Sequence, residues 1–320
     1  MGRLIRNSAI LAKIETTYGT DPTPTGAANA ILVSNLSINP LAAQNVKRDL
    51  IRPFLGGSDE LVGTAYVECS FDVELQSSGA AGTAPAWGPL LRAVGFAEAV
   101  TAITRVDYTP ISSAFESVTI YYHDDGVLHK LLGARGDVSL DIGLGNRPVL
   151  KFKFVGLDGG ISATANPSLT LTAWKAPLAV TDTNTADVTL GCTYSAGALS
   201  GGTVYPSRGL QLSMGNSVAH TPLLGAETVE ITQRDVKGSV EFDLTAAQEV
   251  TLMATVKAAT QQGIGLLHGT AAGYKVLVFG AAMQLTNPKK AEINGKRLIG
   301  YDLGLAPSAS GNDDLRIVVL

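Results

Sequence analysis

The sequence has few of the residues that build metal, redox or covalent sites. Its 320 residues include only two cysteines and four histidines. Cys69 and Cys192 lie far apart without metal or redox spacing, and the histidines are too scattered for a zinc pair on one helix. We therefore predict no metal site, no cofactor and no disulfide, with Cys69 acting as a small buried hydrophobic side chain.

Positive charge and long apolar runs are also scarce. The 24 basic and 28 acidic residues give a net charge of −4, which argues against a protein that binds nucleic acid by neutralising phosphates. No apolar run approaches the roughly 20 residues that span a bilayer. Lys13 and Glu15 end the first apolar run too early for a signal peptide, so we expect cytoplasmic synthesis and no membrane association.

Motifs of nucleotide-binding and hydrolytic enzymes are missing as well. The glycine-rich run 263–269 superficially resembles a dinucleotide loop, but it follows a predicted helix and its spacing is one residue too long. The sequence contains neither a P-loop nor a Gly-x-Ser-x-Gly elbow. Asp124 and Asp125 precede Gly126, as a hairpin turn favours for backbone reasons. We therefore predict that the protein is not an enzyme.

A repeated alternation of apolar and polar residues is what the sequence does have. From Ala65 to Leu75 every odd position is apolar and every even position is polar or amphipathic. This period of two predicts a strand with one face on a core and the other in water. Similar alternations occur at 136–144, 238–244 and 297–305. Eight carboxylates belong to the polar positions of these strands: Glu68, Asp72, Glu74, Asp137, Asp141, Glu241, Asp243 and Asp302.

Two short helices and several recurring motifs indicate an internal repeat. One helix is predicted within 85–96, where Pro89 suits the first turn, and the other within 245–260, where Thr245 suits the N-cap. The motifs that recur in the same order are Leu36-Ser37-Ile38 with Leu212-Ser213-Met214, Phe71-Asp72-Val73 with Phe242-Asp243-Leu244, Asp141-Ile142-Gly143-Leu144 with Asp302-Leu303-Gly304-Leu305, and Gly145-Asn146 with Gly311-Asn312. Such a repeat predicts a tandem duplication.

We therefore predict a mainly β fold of two tandem β-sandwich or partial-barrel domains, each with a flanking α-helix. The predicted divisions are an N-terminal arm at 1–30, a first domain at 31–157, a connector with a small β excursion at 158–207, and a second domain at 208–320. The Pro- and Gly-rich arm has little to bury alone, so we expect it to be mobile or to lie on a neighbour. Exposed strand edges need partners, and a ring of subunits can close them into a barrel.

Two segments and one strand ending resemble a known family. The run from Arg6 to Pro24, the segment from Pro85 to Phe96 and the Asp-x-Gly-Leu strand ends resemble the major tail tube proteins of long-tailed, non-contractile, siphovirus-type bacteriophages. The resemblance covers most of the chain, although 158–207 has no counterpart. It implies tube-type β-sandwich domains whose inner strands join around a ring, and stacked rings that form the hollow tail through which genomic DNA is ejected.

The resemblance also implies partners and a location. They are other copies of the chain, the tape measure protein, the tail terminator, and DNA that passes through without specific binding, in a virion tail assembled in the host cytoplasm. Such tubes usually carry one domain per chain in rings of six, so a duplicated chain predicts a trimeric, pseudo-hexameric ring. The eight carboxylates are candidates for the lumen, because negative charge there repels DNA phosphates. Residues 1–30 and the loop Asp49–Leu61 are candidates for contacts between rings.

Two other classes of protein fit part of these observations. A tail terminator or a capsid decoration protein would share the β-rich composition but form single rings or knobs. A carbohydrate-binding β-sandwich module would expose a row of aromatic side chains. Trp87 and Trp174 are expected to be buried or isolated, which counts against the second class.

Overall fold

Strands dominate the computed structural model, which describes residues 2–320. In this range 52% of residues lie in strands and 6% in helices, so the mainly β prediction is confirmed. The strands are β1 (Ser8–Ile14), β2 (Ala30–Ile31), β3 (Ser34–Ala43), β4 (Val46–Lys47), β5 (Glu60–Leu61), β6 (Ala65–Glu74), β7 (Phe96–Thr101), β8 (Arg105–Pro110), β9 (Val118–Asp124), β10 (Val127–Gly143), β11 (Val149–Ala163), β12 (Val188–Leu190), β13 (Thr193–Ser195), β14 (Ala198–Ser200), β15 (Thr203–Tyr205), β16 (Ser207–Ser213), β17 (Ser217–Leu223), β18 (Ala226–Gln233), β19 (Lys237–Phe242), β20 (Gln261–His268), β21 (Val276–Ile293), β22 (Lys296–Ala306) and β23 (Arg316–Val319). The helices are α1 (Gly88–Ala93) and α2 (Ala246–Lys257).

Eight antiparallel strands form one continuous central sheet, in the order β3-β6-β11-β10-β16-β19-β22-β21. The first four strands come from the N-terminal half of the chain and the last four from the C-terminal half. They join where β10 pairs with β16, with Asp141 opposite Gln211. If the four central strands of each half are numbered along the chain, both halves have the sheet order first, second, fourth, third: β3-β6-β11-β10 and β16-β19-β22-β21. Whether the halves are tandem copies stays a prediction.

The predicted alternation is visible in β6. Val67, Cys69, Phe71 and Val73 are buried, whereas the polar residues between them are half-exposed. Burial also raises the pKa of the Cys69 thiol to about 12, because the charged thiolate is poorly solvated there. The buried side of the sheet packs on one extended apolar core that both halves share.

A second layer of strands covers the core on its other side. In the N-terminal half it has the order β2-β1-β9-β10, and in the C-terminal half β15-β12-β20-β21-β23-β8-β7. The long strands β10 and β21 take part in both layers. Because β8 of the first predicted domain pairs with β23 of the second, the halves also share this layer.

Each half has its helix directly after its second central strand. Helix α1 carries Pro89 in its first turn and buries Leu90 and Leu91 in the core. Helix α2 begins with a capping box, in which the Thr245 hydroxyl accepts a hydrogen bond from the Gln248 N–H and the Gln248 side chain accepts one from the Thr245 N–H.

The interpretation of 1–30 as an arm with little to bury was wrong. β1 pairs with β9 along its whole length, and Ile10 and Leu11 are buried. Glu15 is also buried, and its carboxylate accepts hydrogen bonds of 2.6–2.8 Å from two hydroxyls and two backbone N–H groups. The segment therefore completes a sheet of its own chain, which the local sequence alone does not show.

Two of the recurring motifs join strands that are not equivalent. Asp141 lies in β10, the last strand but one of its half, whereas Asp302 lies in β22, the last central strand. Gly311 follows β22, whereas Gly145 precedes β11. The matches of β3 with β16 and of β6 with β19 do join strands at the same place in each half, although they do not match residue for residue.

Candidate assembly surfaces

The predicted carboxylates lie on the polar face of the central sheet. Seven of them are in central strands and Asp243 follows β19 directly. Residues that pair across strands point to the same face, and the pairings place Glu74, Asp141 and Asp302 in one row that crosses the sheet from β6 to β22. Sequence analysis placed these side chains on the polar faces of separate strands, and it did not show that one sheet carries them all. Their position in the lumen stays a prediction.

Basic side chains on neighbouring strands, or in the turn before β11 in the case of Arg147, pair with five of the eight carboxylates. The pairs are Arg147 with Glu74 at 3.0 Å, Lys151 with Asp141 at 2.9 Å, Arg208 with Glu241 at 3.0 Å, Lys289 with Asp302 at 3.3 Å, and Lys296 with Asp243. The face is therefore mixed in charge. The basic partners were not predicted, because the pattern of one acidic strand does not show which strand lies beside it. Lys151 and Lys153 do alternate with buried residues in β11, which is the signal that could have indicated them.

The environments of the carboxylates differ. Asp137 is half-buried and accepts a hydrogen bond of 2.9 Å from the Asn216 N–H, and this burial raises its pKa. Asp302 is only partly covered, with its side chain 43% exposed, and hydrogen bonds from the Asn287 amide and from Lys289 lower its pKa. Asp137 is thus covered by the chain, whereas Asp302 stays open to solvent.

Both margins of the central sheet are open. Among residues 2–320, β3 pairs only with β6, and the part of β21 from 286 to 293 pairs only with β22. Their outer backbone groups are available to another strand. An unpaired edge of this kind is a template for pairing with a second chain.

Two hairpins occupy the same place in the two halves, between the first and second central strands. The β17–β18 hairpin packs on β10 and β11 of the first half, and its tip exposes Leu223 and Leu224. The β4–β5 hairpin leaves Ile51 and Leu55 fully exposed and Phe54 66% exposed. Apolar tips that no part of the chain covers are typical of interaction surfaces.

Metal ligands, membrane-spanning helices and exposed tryptophans were also sought among the described residues. In the described range no three His, Cys, Asp or Glu side chains are grouped to hold a metal. Neither helix of residues 2–320 has the length and apolar character needed to cross a membrane. Trp87 is fully buried and the Trp174 indole donates to the Ala30 carbonyl, so neither belongs to an exposed aromatic row.

Open sheet edges and exposed apolar loops are features of β-sheet proteins whose copies assemble with one another, and this chain belongs to that class by its structure. A family model described as phage tail tube protein matches residues 5–307, a range that includes 158–207. The chain therefore belongs to the phage tail tube protein family, and it is a structural protein of the bacteriophage virion tail that assembles into a tube. No individual curated protein matches it.

Proposed function

We propose that three copies of the chain close into a ring and that stacked rings form the tube through which genomic DNA leaves the capsid. The observation that carries this proposal is the central sheet, whose order repeats once within the chain and ends in two open edges. A ring of three chains would contain six sheet units, as a ring of six single-domain chains would. The internal junction of β10 with β16 is then the template for the junction between chains.

The two halves can be aligned through one ion pair. Arg147 pairs with Glu74 at one end of the first half, and Lys296 pairs with Asp243 at the same end of the second. In the first half, the residue two positions after Arg147 is Val149, which pairs with Asp141. In the second half, the residue two positions after Lys296 is Leu298, which pairs with Ala291. Ala291 therefore occupies the place of Asp141.

The other edge is aligned in the same way. Ser239 lies four residues before Asp243 and pairs with Gln211, and Ser70 lies four residues before Glu74 and pairs with Ser37. Ser37 therefore occupies the place of Gln211. Because Asp141 and Gln211 are direct partners within the chain, we expect Ala291 of one chain to pair with Ser37 of the next.

We assign the polar face of the central sheet to the lumen. The second layer and both helices then lie outside the barrel, and the predicted carboxylates line the bore, apart from the covered Asp137. Because five carboxylates have basic partners, the lining is polar and mixed in charge, and few cations remain free to hold phosphates. DNA would pass such a wall without specific binding.

Contacts between rings are assigned to the hairpin tips. The loop Asp49–Leu61 keeps this role, with Ile51, Phe54 and Leu55 as the apolar contacts, and Leu223 with Leu224 supplies the corresponding tip in the second half. Residues 1–30 are no longer assigned to contacts between rings, because β1 belongs to a sheet of its own chain. The tape measure protein would meet the lumen and the tail terminator would meet the last ring.

Electron cryo-microscopy of the purified, assembled protein tests the proposal. We expect hollow tubes with three chains per ring and sheets that are continuous from chain to chain. Six chains per ring would refute the trimer. Single rings or isolated knobs would instead favour a tail terminator or a decoration protein.

A further inference from the structure

The β17–β18 hairpin is anchored on the first half of its own chain. The Arg135 guanidinium donates to the Val229 carbonyl at 2.8 Å, and the Tyr18 hydroxyl accepts from the Val229 N–H at 2.6 Å. The base of the hairpin carries Val218 opposite Ile231, and Ile231 is only 9% exposed. The first half thus has a binding surface for this hairpin, which includes Arg135 and Tyr18.

The β4–β5 hairpin has a similar apolar pair at its base, but no part of its own chain covers it. Val46 lies opposite Leu61, and these side chains are 56% and 55% exposed. Lys47 and Arg48 follow in the same hairpin and are exposed as well. An exposed cross-strand pair of aliphatic residues is unfavourable in water and gains free energy when a partner covers it.

An open groove of about 510 Å³ lies at the position in the second half that corresponds to the surface under β17–β18 in the first. It is lined by residues 231–236 at the end of β18 and by residues of β20, β21 and β22, together with Ile111, Ser112 and Phe115 of the first half. The correspondence follows from the alignment of Glu74 with Asp243. Six residues before Glu74, Glu68 shares a row with Val155 and Arg135. Six residues before Asp243, Lys237 shares a row with Gly304 and Gln284. Gln284 and Gly304 both line the groove. The groove is therefore the counterpart of the surface that β17–β18 covers.

The walls of the groove suit the base of a hairpin. Leu305, Ala306 and Pro307 form an apolar side, and the amides of Gln261 and Gln284 can bond to a backbone as Arg135 and Tyr18 do. Asp235 and Arg234 also line it, and both are already paired within the chain, with Lys237 and with Asp314.

The chain cannot fill this groove with its own β4–β5 hairpin. The hairpin leaves β3 at one margin of the central sheet, and the groove lies beside β21 at the other, seven strand spacings or about 33 Å away. Where β3 of a second copy pairs with β21, its hairpin begins beside the groove, as β17–β18 begins beside β10.

We infer that the base of the β4–β5 hairpin of a second copy, with Val46 and Leu61, occupies the groove at Gln284 and Gly304. This inference rests on the proposed ring. It makes the hairpin a clasp between neighbours in one ring, and it leaves the tip with Ile51, Phe54 and Leu55 free to contact the next ring.

Cross-linking of assembled tubes with a short bis-maleimide tests the clasp. The double variant Leu61→Cys/Gly304→Cys should link neighbouring chains, and Cys69 and Cys192 do not compete because they are buried. The matched control is Leu61→Cys/Gly300→Cys, since Gly300 lies on the same face of β22 about 13 Å further along. We expect at least tenfold more linked product from the first variant, and equal yields would overturn the inference.

A second pair of variants keeps the ring and the clasp distinguishable. Ser37→Cys/Ala291→Cys reports the ring junction alone. If that pair links while Leu61→Cys/Gly304→Cys does not, the clasp is refuted and the ring stands. If neither links, the ring proposal fails and the clasp fails with it.

Blocking the groove gives an independent result. A Cβ at Gly304 meets nothing within 4 Å, so Gly304→Leu should leave the melting temperature of the unassembled chain unchanged. The variant should lower the yield of tubes by at least tenfold, because the leucine takes the place of Leu61. Normal tube yield from this variant would contradict the inference.

Discussion

At the scale of single residues, parity along a strand predicts which way a side chain points but not what lies above it. Asp137 and Asp141 are two steps apart on one face of β10, and the sequence treats them alike. The structure covers Asp137 with Asn216 at the start of the β17–β18 hairpin and leaves Asp141 beside Lys151. The hairpin comes from some 80 residues away, so no local pattern contains this difference.

The variant Asp137→Asn should stabilise the unassembled chain at neutral pH. Because burial raises the pKa of Asp137 in the folded state, its contribution to stability is present below the unfolded pKa and is lost as the pH rises through the folded pKa. Asparagine keeps an oxygen to accept the Asn216 N–H and carries no charge. Urea unfolding should therefore show a higher free energy of unfolding than wild type at pH 7, with convergence below about pH 4.

Asp302→Asn is the matched control with the opposite sign. Hydrogen bonds from Asn287 and Lys289 lower the pKa of Asp302, so its contribution is present above the unfolded pKa and is lost as the pH falls through the folded pKa. This variant should be less stable than wild type, or unchanged, at pH 7. Stabilisation by both variants would show that burial of Asp137 is not the cause.

At the scale of elements, local patterns identified strands and helices better than their partners. The alternation from Ala65 to Leu75 gave β6, and the N-cap at Thr245 gave α2. The partner of β1 is β9, which begins about 100 residues later, and pairing over such a distance leaves no local mark. The assignment of 1–30 failed for this reason.

Removal of β1 should unfold the chain. Deletion of residues 2–14 exposes the edge of β9 and the apolar side chains that Ile10 covers, and it leaves Ser117 and Thr119 close to a Glu15 carboxylate that is no longer held in place. We expect insoluble protein or loss of the cooperative thermal transition. Deletion of residues 2–6, which are exposed and precede β1, is the control and should keep that transition. A soluble, cooperatively folded 2–14 deletion would contradict this account.

At the scale of the whole molecule, the sequence indicated only part of the strand order in the central sheet, namely that the first two central strands of each half correspond. Motifs in β3 and β6 recur in β16 and β19, because the residues that alternate there are similar. The motif shared by β10 and β22 is misleading, because many strands end in similar short runs. Only the ladder of paired residues distinguishes equivalent from non-equivalent strands.

The ring junction can be trapped as a disulfide. Oxidation of tubes of Ser37→Cys/Ala291→Cys should give a covalent trimer as the largest product on a denaturing gel, because directly opposed residues lie about 5 Å apart at Cβ. Ser37→Cys/Thr286→Cys, displaced by about 16 Å along the strand, should give none. A ladder that continues beyond three chains would contradict a closed trimeric ring.

Removing the apolar hairpin tip should separate ring formation from stacking. The triple variant Ile51→Ser, Phe54→Ser and Leu55→Ser changes side chains that are exposed in the single chain, so its melting temperature should not change. Each buried side chain contributes roughly 1.5–3 kcal/mol to an interface, and we expect rings without tubes in negative-stain images. Val250→Ser, at an exposed position on α2, should form tubes of normal length; the same result from the triple variant would refute the assignment.

The junction of β10 with β16 lies within one polypeptide, and this affects how readily such a tube can form. Two sheet units in one polypeptide meet at an effective concentration in the millimolar range, whereas separate chains meet at their concentration in the cell. Every second seam of the proposed ring would therefore already be closed when the chain folds. Dilution would act only on the remaining seams, and the threshold concentration for polymerisation would be lower than for an otherwise equal protein with one unit per chain.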